Sequence, residues 1–128
     1  MKFPADVYYR VVNIAESYYV LQKRLIEFEK SIFEVTPHND GQPRGNQVSD
    51  PTALKAELIT KRQEECSRKI KAIERALSPL GPVYRDFIKL NFFEHKDIQS
   101  IDSPMSLQEK KDVRKFFLIK VARNLNEI

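Results

Sequence analysis

A single cysteine, two histidines and three glycines in 128 residues leave few chemistries open to this chain. Cys66 cannot close an intramolecular disulfide, and it falls on the apolar stripe of a helical pattern, where it reads as a core residue and not a reactive thiol. His38 and His95 stand apart from any Cys, His or carboxylate at ligand spacing, so no metal site is expected. No glycine-rich phosphate loop and no serine nucleophile motif is present. The acid pairs Glu27/Glu29 and Glu64/Glu65 lie on amphipathic helices and read as surface charge. The chain is therefore not expected to be an enzyme, and no cofactor is expected. It also lacks an apolar run of membrane-spanning length and a signal-peptide pattern, so a soluble, cytoplasmic protein without a membrane partner is expected.

What is present is apolar periodicity and positive charge. A hydrophobic content of 41% is enough for a core but leaves room for only one or two small domains. The net charge is +4, with 22 Lys+Arg against 18 Asp+Glu, which favours an acidic partner. Residues 1–50 hold 6 basic and 7 acidic side chains, residues 51–82 hold 7 and 4, and residues 83–128 hold 9 and 7, so the excess lies after Asp50.

Val7, Val11, Ile14, Tyr18, Leu21, Leu25, Phe28, Ile32 and Val35 alternate by four and three, which predicts a helix over 5–35 with a heptad seam. Asp50 before Pro51 is a helix start, because Asp can cap free N–H groups and proline at the first position forfeits none. A second seam follows through Thr52, Ala56, Ile59, Gln63, Cys66, Ile70, Ile73 and Leu77, and Ser78-Pro79-Leu80-Gly81-Pro82 ends it. Between the seams, residues 36–49 carry Pro37, Gly41, Pro43 and Gly45, a loop long enough for the two helices to fold back antiparallel or for each to pair across a dimer. Arg44 in that loop could reach a phosphate, though a solvated loop is the plainer reading.

After the break, a helix is expected over 82–93, a short helix over 96–101, a turn at Asp102-Ser103-Pro104-Met105, and a last helix over 107–126 capped by Ser106 with Glu109. No segment alternates with period two, so the fold class is all-α: a long coiled-coil-like helical hairpin over 1–78, then a small helix-turn-helix unit over 82–128. In such a unit the last helix offers its N-terminal side chains to the major groove. Ser106, Gln108, Lys110, Lys111, Arg114 and Lys115 are the candidate DNA-binding residues, since Arg and Lys read guanine or grip phosphate, Gln pairs with adenine and a capping Ser contacts phosphate. On a helical wheel Lys110 and Arg114 nevertheless fall near the face of Phe117 and Val121, at the edge of the core.

Ser49 to Glu94, reading SDPTALKAELI and then KIKAIERALSPLGPVYRDFIKLNFFE, resembles the RinA/ArpU-type family of phage late-gene transcriptional regulators, whose C-terminal half is similar to region 4 of sigma factors. The resemblance implies a DNA-binding activator that positions host RNA polymerase at phage promoters, in a bacterial cytoplasm. Partner surfaces follow from the residues: Val11, Tyr18, Leu25 and Phe28 of the first seam, with Phe116 and Ile119, which exceed what one small core can cover, are candidates for a homodimer or polymerase interface. The alternative is a helical adaptor or antirepressor without DNA affinity, working through the same apolar faces.

Overall fold

The computed structural model describes residues 3–35 and 51–128, with side chains over 3–30 and 57–128. Every regular element among them is helical: α1 (Ala5–Glu16), α2 (Tyr18–Val35), α3 (Pro51–Leu77), α4 (Pro82–Ile88), a π-helical turn (Lys89–Phe93) and α5 (Leu107–Asn124). The protein is all-α over these residues. No described helix is long and apolar enough to cross a membrane. The expectations for the 36–49 loop, Arg44, His38 and the Asp50 cap lie outside the described residues.

The first expected helix is divided at Ser17. The Ser17 hydroxyl donates to the Asn13 carbonyl at 2.7 Å, and its N–H is shared between the carbonyls of Asn13 and Ile14. Back-bonding of this kind loosens and bends a helix, whereas the apolar spacing on either side is unaffected. Leu21 N–H still reaches the Ser17 carbonyl at 2.8 Å, so α2 follows α1 directly.

Both seams turn inward. Val7, Val11, Tyr18 and Leu21 are buried, with Ile14, Leu25 and Phe28 half-covered against the same core. On α3, Ile59, Cys66, Ile70, Ile73 and Leu77 are buried. The Cys66 thiol donates to the Leu21 carbonyl at 3.0 Å and the Tyr18 hydroxyl donates to Glu74 Oε2 at 2.9 Å, so contacts advance along α2 as they retreat along α3. Ala72 and Ala76 form a further buried stripe on α3. Their small side chains admit α5, whose Asn124 donates to the Ala72 carbonyl at 3.0 Å, while Arg68 donates to the Leu125 carbonyl at 2.8 Å.

The C-terminal part departs from expectation in three places. Beyond Ile88 the helix widens, and Glu94 N–H bonds to the Lys89 carbonyl at 3.0 Å, five residues back. That extra residue per turn lets two consecutive rings enter the core: Phe92 packs on Phe117 at 5.4 Å between centroids, and Phe93 stacks on Tyr18 at 4.3 Å. The short helix expected over 96–101 is absent, and residues 94–106 form turns. His95, near its start, is in the left-handed region (φ 59°), which breaks the helical path, and Ser100 and Ser103 use their hydroxyls in local bonds to the Asp97 carbonyl and the Met105 N–H. Ile101 and Met105 anchor the segment to the core.

α5 begins as expected: Ser106 Oγ accepts the Glu109 N–H at 3.2 Å. It ends two residues earlier than expected, with Asn126 in the left-handed conformation (φ 58°), Asn126 N–H on the Arg123 carbonyl and Glu127 N–H on the Ala122 carbonyl. This paired closure satisfies carbonyls that a longer helix would have used.

Candidate nucleic-acid interface

The six basic or polar residues at the start of α5 separate into three kinds. Lys110 is only 8% exposed, and its ammonium donates to the carbonyls of Ile101 at 2.7 Å and Ile98 at 3.5 Å. It ties the 94–106 segment to α5 and is not placed to reach DNA. Ser106 is occupied as the helix cap. Gln108 is exposed and donates to Asp112 Oδ1 at 3.0 Å, an ordinary i,i+4 pair on the surface.

Arg114 is half-buried and fixed at three points. Its Nε donates to Asn91 Oδ1 at 3.0 Å, its Nη1 donates to the Tyr8 hydroxyl at 2.7 Å, and its guanidinium lies over the Phe92 ring at 4.8 Å. All three partners are neutral, so the charge is held without being neutralised. Asn91 is itself placed by the π-helical turn and donates to the Lys96 carbonyl at 2.9 Å. A residue so held does not swing into a base edge; it lines a surface.

Lys111 and Lys115 are exposed. With Arg114 and Leu118 they occupy positions i, i+3, i+4 and i+7 of α5, which is one face of a helix. Among the described residues, none of the three cations forms an ion pair with a carboxylate, whereas Arg10 pairs with Asp6 and Glu127 and Lys69 pairs with Glu65. This stripe forms one wall of a groove of about 570 Å³. Phe3, just before α1, and Tyr8 of α1 also line it and meet edge to face with ring centroids 5.7 Å apart. Asn91, Asp97 and Ile98 complete it.

The residues considered for a partner also separate. Val11 is 0% exposed and Tyr18 is stacked on Phe93, so both belong to the internal core and present nothing to a second chain. Leu25 and Phe28 are half-covered beside α3. Phe116 remains 47% exposed, with Lys120 Nζ at 5.5 Å from its ring, and Ile119 is half-exposed on the next turn.

Sequence reasoning missed Phe3, Tyr8 and Asn91. Nothing local marks them, since Tyr8 lies 106 positions from Arg114 and Asn91 depends on a widened turn. The one available signal was the wheel position of Arg114, which put it at the core edge without naming a partner. Comparison of the chain with protein-family models, curated proteins and solved structures gave no match.

Proposed function

We propose that the chain is a DNA-binding transcriptional regulator of the phage type, with α1 to α3 as a coiled-coil-like arm and residues 82–128 as a helix-turn-helix-like unit whose reading helix is α5. The observation that carries this reading is the stripe of Lys111, Arg114 and Lys115, three cations on one face, none of them in an ion pair among the described residues. Like charges at i,i+4 weaken a helix, and an external polyanion removes that cost while releasing its own counterions. Lys111 and Lys115 would grip phosphates, Gln108 would face the bases, and Arg114 would support the surface from behind. Phe116 and Ile119 would meet host RNA polymerase or a second copy of the chain, consistent with activation of late genes.

The test is a salt-titrated binding assay of the purified protein on duplex fragments from its own genomic neighbourhood, against a non-specific duplex. One fragment bound far more tightly than the rest, with affinity falling steeply as salt rises, supports the regulator. Equal and weak binding to every duplex sinks it. The exposed Phe116 then favours the second reading, an adaptor or antirepressor that works through protein contacts.

A further inference from the structure

The groove between the N-terminus and α5 has more in it than a duplex backbone requires. Phosphate contacts need exposed cations and no aromatic wall. Here Lys111, Arg114 and Lys115 line the same groove as Phe3 and Tyr8, a concavity of about 570 Å³ in which Tyr8 and Arg114 are hydrogen-bonded to each other, inside the roughly 300–1,000 Å³ typical of small-ligand sites. Arg114 is half-buried over the Phe92 ring and oriented by Asn91 and Tyr8, so an anion meeting it finds a donor that needs no reordering. A guanidinium carries five N–H donors, and these two bonds use two of them. Asp97 is the acid in this groove, and it makes no ion pair with the three cations.

We infer that this groove binds a single nucleotide unit, with the phosphate on Lys111, Arg114 and Lys115 and the base packed against Phe3 and Tyr8. The unit is either a free nucleotide or one residue of an unpaired strand, since both offer a ring and a phosphate at the same separation. Base–aromatic stacking tolerates any base, because every base has a π face. The inference stands apart from duplex recognition: Lys111 and Lys115 are common to both, whereas Phe3 and Tyr8 serve only the groove.

The experiment titrates the full chain with adenosine and guanosine monophosphates, with inorganic phosphate, with a six-residue oligothymidylate and with a duplex. Tyrosine emission is the readout, usable because the chain has no tryptophan and five tyrosines, Tyr8 among them. Saturable binding of a mononucleotide or the oligothymidylate is expected, and which of the two binds tighter identifies the source. Phe3→Ala sits outside every helix and should weaken that binding roughly 5- to 150-fold while duplex affinity is unchanged. Lys111→Ala should weaken both. Calorimetry repeats the key titrations, so that a loss of tyrosine signal is not mistaken for a loss of binding. Inorganic phosphate binding as tightly as the nucleotides would overturn the aromatic half of the site. No saturation by any single-nucleotide or unpaired ligand would overturn the whole, and would leave the duplex reading untouched.

Discussion

Arg114 Nη1 and the Tyr8 hydroxyl meet at 2.7 Å, joining α5 to α1 across 106 positions of sequence. The bond is charge-assisted and half-buried, so its loss should register in stability. Tyr8→Phe is expected to cost about 1–2 kcal/mol and Arg114→Ala about 2–3 kcal/mol, because the second change also strands Asn91 and uncovers Phe92. The double variant should fall short of the sum. Urea denaturation of the four proteins measures this; strict additivity would mean that the two groups do not act together.

Lys110 and Lys111 are neighbours in sequence with opposite duties. Lys110→Ala removes the donor that serves the carbonyls of Ile98 and Ile101, and should destabilise the fold by about 1–3 kcal/mol. Lys111→Ala should change stability by less than about 0.5 kcal/mol. On DNA the pattern inverts: Lys111→Ala and Lys115→Ala each lower the salt slope by about one, while Lys110→Ala at a temperature where it remains folded leaves the slope alone. A normal slope in the Lys111 and Lys115 variants would remove both from the interface.

Tyr18 supplies a pH dependence. Burial first, and then the hydrogen bond and negative charge of Glu74, push its phenol from 10.0 up to about 12. The neutral phenol is thus favoured by the fold, so its contribution is complete below about pH 10 and is lost as the pH climbs toward about 12. Melting temperature measured across pH 9–12 should fall more steeply for the native chain than for Tyr18→Phe. Parallel curves would assign the alkaline loss to other groups.

Cys66 should be chemically silent. Burial pushes its thiol above the usual range, against smaller opposite effects of Lys69 and Arg24, and its proton is engaged by the Leu21 carbonyl. A chromogenic disulfide reagent at neutral pH should label it only at the rate of unfolding, and labelling should become fast in denaturant. Immediate stoichiometric reaction in the folded state would contradict the packing of α2 on α3.

The parts of the molecule that could be read before the structure are those written in short-range spacing. Val7, Val11, Tyr18 and Leu21 recur at helical intervals, as do Ile59, Cys66, Ile70, Ile73 and Leu77, and both sets are buried. The cap at Ser106 and the breaks around Pro79 and Gly81 are also local, and they fall where the spacing predicts. What escaped depends on partners distant in sequence. Ala72 and Ala76 are silent until α5 lies against them, the ammonium of Lys110 looks solvated until its carbonyls arrive, and the Ser17 interruption changes hydrogen bonding without changing the apolar pattern. The failed helix over 96–101 shows the converse: an inward Ile98 and Ile101 fit a helix on paper, but turns bring both to the core as well.

The widened turn at 89–93 amounts to a phase shift written in residue count instead of residue type. Each residue advances an α-helix by roughly 100°, so deleting one position there would restore a regular helix and rotate whatever follows by about that angle. With Lys89 or Leu90 deleted, Asn91, Phe92 and Phe93 would all be kept, yet they could no longer all hold their present directions, and the Arg114 guanidinium would lose Asn91 and the Phe92 ring and keep only Tyr8. A single-codon deletion within this segment is therefore a sharper disruption of the groove than most substitutions of its lining, although it touches none of the cations.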